Sequence, residues 1–124
     1  MTDIENNDHI KTFVNAFYIK VRSDDLLAPV FESKITQENW PAHLEKMYGF
    51  WNMIIFGDTT YKGQPFDKHA DLPVNNMHYQ RWIELFKITI DENFSGEKAD
   101  SVKLRAEGIA NIFSFKSEQM QTGK

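Results

Sequence analysis

The sequence predicts an all-α protein. Three observations carry that expectation. Apolar residues recur at helical spacing along four long stretches, Asn, Pro and Gly punctuate their ends, and no run alternates apolar with polar residues as a strand would. At 124 residues the chain fits one domain spanning 1–124, with a core over about 8–115 and polar tails at both ends.

The first helix is expected from Asp8 to Val21, where Ile10, Phe13, Val14, Phe17, Tyr18 and Val21 share a face and Asp8 stands where an N-cap belongs. Leu26, Leu27, Val30 and Phe31, interrupted by Pro29, read as a short helical corner. The next helix is the clearest. Asn39 suits its cap and Pro41 its first turn. Trp40, His43, Leu44, Met47, Phe50, Trp51, Ile54 and Ile55 then trace a broad apolar face as far as Phe56, and Gly57 suits the stop. Residues 58–74, with Gly63, Pro65 and Pro73, form a long connection of the kind that more often carries function than not. Tyr79, Trp82, Ile83, Phe86, Ile90 and Phe94 mark a third long helix ending near Ser95-Gly96. Ala99, Val102, Ala106, Ile109, Ala110 and Phe113 mark the last one, after which Lys116 to Lys124 is polar and expected to fray.

Composition removes several classes of function. With no cysteine, disulfides, thiolate zinc sites, iron–sulfur clusters and covalent haem attachment are excluded. A net charge of −4 without a basic run argues against nucleic acid as a partner. No stretch approaches the ~18 apolar residues of a membrane span, and the acidic start Met1 to Asp8 does not read as a signal peptide, so the expected location is the cytoplasm. Aromatic residues make up 14% of the chain, enough for an aromatic core or for a pocket that takes a flat apolar ligand.

The residue that narrows these choices is His69, on a Pro-bounded piece between Pro65 and Pro73 with Phe66, Ala70 and Leu72 around it. A second imidazole, His43, lies on the apolar side of the preceding helix. A di-iron centre needs Glu-x-x-His on two helices. The residues three before the four histidines are Asn6, Trp40, Phe66 and Asn75, and none is acidic. A two-histidine zinc helix needs His at i and i+4, and no such pair exists. Nucleophile elbows and phosphate-binding glycine loops are also missing. Asp67 and Asp71 beside His69 suggest either a small hydrolytic site or, more simply, solvated turn caps. Haem asks less of a sequence: one neutral imidazole on an anchored segment, apolar walls, and a few hydrogen-bond donors opposite if oxygen is to be held. Tyr18, His43 and Trp82 can supply such donors from three helices, although each taken alone reads more simply as a core aromatic or an interior histidine.

In order and spacing the motifs resemble the group III truncated haemoglobins, compact bacterial globins with a two-over-two helical sandwich. The resemblance runs from about Phe13 to Phe113. It rests on Phe17-Tyr18-x-Lys20-Val21-Arg22, Leu27-x-Pro29-Val30-Phe31 and Trp40-x-x-His43-x-x-Lys46-Met47-x-x-Phe50-Trp51. Further on lie Tyr61-x-Gly63-Gln64-Pro65-Phe66-x-x-His69-x-x-Leu72-Pro73, Trp82-x-x-Leu85-Phe86 and Arg105-Ala106-x-x-Ile109-Ala110-x-x-Phe113. The resemblance implies non-covalent haem b with His69 as the proximal iron ligand, Tyr18 and Trp82 as distal donors, and His43 as a mobile distal histidine. It further implies that Phe31, Met47 and Trp51 pack against the ring and that Lys46 and Lys68 reach the propionates. Met47 departs from the smaller or branched aliphatic residue usual at its position. His9 and His78 fall outside the motif, and His78 is expected to be exposed at a helix start.

The implied activity is reversible binding of O₂, NO and CO. NO-dioxygenase or peroxidase-like turnover is a further possibility, and its electrons would have to come from a separate reductase. Two other readings stand beside it: a haem-based gas sensor without turnover, and an interaction module that has lost its cofactor. The retention of His69 with Tyr18 and Trp82 speaks against the last.

Overall fold

The computed structural model describes residues 1–57 and 74–122, with side chains as far as Lys116. These residues form five α-helices and one 3₁₀ turn, with no strand among them. The segment carrying Lys68 and His69 lies outside the described residues.

Helix α1 (Asn7–Arg22) is capped by Asn6, two residues earlier than expected. Asn6 has the extended backbone a cap needs, and its side chain accepts from the His9 N–H at 2.9 Å. Asp8 falls inside the first turn, where its charge suits the helix dipole. Helix α2 (Ala28–Lys34) takes Pro29 in its first turn. Asn39 does not cap the next helix through its side chain. Its backbone is already helical, closing the 3₁₀ turn Gln37–Asn39 that runs straight into α3 (Trp40–Phe56). Gly57 ends α3 in the left-handed region at φ 74°, which a residue without a Cβ reaches freely.

Helix α4 (Asn76–Asn93) starts at an Asn75 cap, and α5 (Glu97–Thr122) continues past the fraying expected from Lys116. Residues 116–122 contain neither Gly nor Pro, so nothing local stops the helix there. The N-terminal segment is also less tail-like than its polarity suggests. Ile4 is fully buried, and Asp3 caps α5, its two carboxylate oxygens accepting from the Ala99 and Lys98 N–H groups at 2.8 and 2.9 Å. A Cβ on Gly96 would stand 2.5 Å from the Asp3 Cγ, so the clip needs glycine there.

Helix α1 packs on α3 and α4, and α4 packs on α5. The core is built of rings. Phe86 lies stacked between Trp51 (4.9 Å) and Trp82 (5.7 Å), while Phe13 and Phe17 of α1 meet it edge-on at 5.8 and 5.3 Å. This stack sets the position of Trp82 from α3 and α1 together.

Candidate functional site

Beside that stack α1–α5 enclose a cavity of about 550 Å³, within the range of small-molecule and cofactor sites. The face of α3 explains how it arises. Of its apolar residues only Trp40 and Trp51 are buried. Leu44, Met47, Phe50, Ile54 and Ile55 are half-buried, and Met47 and Phe50 look into the cavity.

Tyr18, Phe31, His43, Lys46, Met47, Trp51 and Trp82 all line this one cavity. Lys68 and His69 lie outside the described residues. Tyr18 is 7% exposed, and burial pushes its phenol well above the ordinary tyrosine range, so it stays a protonated donor. No hydrogen bond to a described residue engages the Tyr18 hydroxyl or the Trp82 indole N–H. His43 stands edge-on to Tyr18 at 5.2 Å and to Trp40 at 5.4 Å, with its Nε2 buried. Trp40 in turn stacks on Phe31 and carries the Arg22 guanidinium 4.5 Å above its ring, a cation–π contact. Trp40, read from the sequence as one more apolar position, thus backs both Tyr18 and His43. Its place one turn before His43 on α3 was the available signal.

The wall made by Leu27, Val30 and Phe31 is held to α4 by Asp24. One oxygen of Asp24 accepts from the Leu26 and Leu27 N–H groups at 3.1 and 3.0 Å, and the other takes Arg81 Nε at 2.7 Å. Burial by itself would raise the Asp24 pKa. The Arg81 hydrogen bond and charge, with the two backbone donors, outweigh it and hold the carboxyl below the usual aspartate range. Arg81 directly precedes Trp82, so the ion pair ties the corner to the helix that carries the indole.

His78 corrects the sequence reading. It is half-buried and lines the cavity. His78 and Trp82 are i and i+4 on α4 and so share a face, a signal its helix-start position obscured. Lys34 of α2 also borders the cavity, and sequence reasoning did not single it out. Among the described lining residues there are two lysines, two histidines and no Asp or Glu, in a chain whose net charge is −4. Aromatic walls, the Tyr18 and Trp82 donors and, among the described lining residues, basic groups without acids fit a flat, largely apolar ligand that carries carboxylates, as haem does.

Comparison with known proteins agrees with this geometry. The bacterial-like globin family matches residues 3–112. The Group 3 truncated hemoglobin ctb of Campylobacter jejuni is 33% identical over 111 residues, covering 87% of each chain. A crystal structure of group III truncated hemoglobin from the same organism superimposes with a TM-score of 0.85 at 32% identity, covering 93% of this chain and 94% of that one.

Proposed function

From the premise that this chain belongs to the bacterial-like globin family, and is therefore a haem-binding all-α protein, we propose that it binds diatomic gases reversibly through non-covalent haem b held by His69. The observation that carries the reading is the pairing of the Tyr18 hydroxyl and the Trp82 N–H, neither engaged by a described residue, on one otherwise ring-walled cavity. Haem, when bound, supplies an iron centre that takes up O₂, NO or CO. The chain's own contribution is to orient donors and exclude water. Tyr18 holds its proton because it is buried, and Trp82 is fixed by its stack on Phe86. A ligand that gains negative charge on binding is retained by two such donors. His43, edge-on to Tyr18, borders the same space, and Phe31, Met47 and Trp51 wall it. Lys46, with Lys68, is assigned to the carboxylates.

Donors on a largely apolar pocket favour tight retention over bulk oxygen transport, so the proposed task is chemistry on oxygen, NO or peroxide in the cytoplasm, with electrons from a separate reductase. Among the described residues no helix is long and apolar enough to cross a membrane. The test is the visible spectrum of purified protein, oxidised, reduced and under CO. His69→Ala should abolish the iron–imidazole signature. A colourless protein that takes up no added haem, or an unchanged His69→Ala spectrum, would refute the reading.

A further inference from the structure

His78 is held in one orientation by the start of its own helix. The Asn75 backbone N–H donates to His78 Nδ1 at 3.1 Å, while the Asn75 side chain accepts from the Met77 N–H at 2.9 Å, a reciprocal capping box. Nδ1 also lies 3.2 Å from Asn75 Oδ1. An N–H aimed at Nδ1 requires the ring's lone pair there, so the proton of the neutral imidazole sits on Nε2. The ring's hydrogen bond to Asn75 runs through Nδ1. Nε2–H is the polar atom that the ring has left to offer the cavity it lines. An imidazole that ligates iron through Nε2 has the opposite pattern, a bare Nε2 with Nδ1–H donating. His78 is therefore set up as a donor and not as a metal ligand.

The surroundings say what it donates to. The described lining carries Lys34, Lys46 and no acidic side chain, and His78 sits at the N-terminal end of an 18-residue helix, where the dipole favours negative charge. We propose that His78 is a carboxylate-binding residue of the pocket. Its Nε2–H holds an acidic side chain of the bound haem from α4, while the lysines serve from α2 and α3. This rests on the haem reading above and adds to it a residue outside the motif that carries the family resemblance.

The test compares His78→Glu and His78→Gln with the parent protein, each loaded with haem or with haem dimethyl ester, whose carboxylates are blocked. The readout is the rate of transfer of the cofactor to an excess of an apoglobin scavenger. Both Glu and Gln can accept from the Asn75 N–H and preserve the capping box. Only Glu places a negative charge against a carboxylate. His78→Glu should release haem about tenfold faster than the parent, a like charge replacing a charge-assisted bond. It should release the ester at the parent's rate, and His78→Gln should stay near the parent with both. Equal acceleration with haem and ester, or none with haem, would overturn the assignment while leaving the globin reading intact. A parent protein that gives no Soret band with either cofactor would overturn both.

Discussion

Helices α1 and α3 both carry apolar faces of similar length, and the two faces meet different fates. Ile10, Phe13, Val14, Phe17, Tyr18 and Val21 of α1 are all buried by protein. On α3 only Trp40 and Trp51 reach that state, although Leu44, Met47, Phe50, Ile54 and Ile55 continue the same face. A soluble helix seldom leaves so much apolar surface half-covered, since each buried methylene is worth about 0.8 kcal/mol. The face of α1 is a core face. That of α3 is partly the wall of a site, where Met47 and Phe50 border the cavity.

The comparison can be broken most directly through Phe13, which is fully buried and touches the rings of Trp51, Phe86 and Phe94. Phe13→Ala should cost about 3–5 kcal/mol of unfolding free energy with or without haem, as measured by urea titration. Phe50→Ala, on the cavity side, should cost the haem-free protein less than about 2 kcal/mol. It should also shrink the rise in Tm that haem brings, because ligand stabilisation scales with affinity. Equal costs at both sites, and no change in the haem-induced rise, would show the α3 face to be ordinary core.

A smaller effect is expected where α1 gives way to α2. Asp24→Asn keeps an acceptor for the corner N–H groups but loses the charge against Arg81, a loss of about 1–2 kcal/mol near neutral pH. Because the folded carboxyl lies below its ordinary value, the stability it contributes is present above the unfolded aspartate pKa of about 3.9 and is lost as pH falls through the lower folded value. Asp24→Asn should therefore flatten the acid limb of the stability–pH curve. An unchanged limb would remove Asp24 from the set of groups holding the corner.

The smallest effect on stability belongs to Tyr18, where the two regions meet: it is on the core face of α1 and also borders the cavity. Tyr18→Phe removes a hydroxyl that no described residue engages, so unfolding free energy should shift by less than about 0.5 kcal/mol. Gas release, followed by flash photolysis or stopped flow, should nonetheless quicken, and Trp82→Phe should do the same. Unchanged release in both variants would take the donor role away from them.

Much of this was legible in the sequence because it is periodic. The 3.6-residue repeat marks α1, α3 and α4, and Gly57 marks a stop that the backbone then makes at positive φ. The same repeat sets Tyr18, His43 and Trp82 on inward faces, which the fold gathers around one cavity. What escaped is directional and non-local. Asp24 meets Arg81 across 57 positions, and no local pattern announces a carboxylate that caps one corner and holds a helix so far along the chain. Asn6 outcompetes Asp8 for the cap by backbone conformation, which composition does not show. His78 was misread because its place at a helix start suggested solvent, while its i, i+4 relation to Trp82 pointed inward.

The Asp3 clip has a consequence for how the molecule comes into being. Helix α5 receives its N-terminal cap from a residue made much earlier, through hydrogen bonds spanning 95 and 96 positions. During synthesis Asp3 emerges early and has no partner until Lys98 and Ala99 follow. The cap therefore forms only once Lys98 and Ala99 are in place, and closing so long a loop costs chain entropy that a local cap would not.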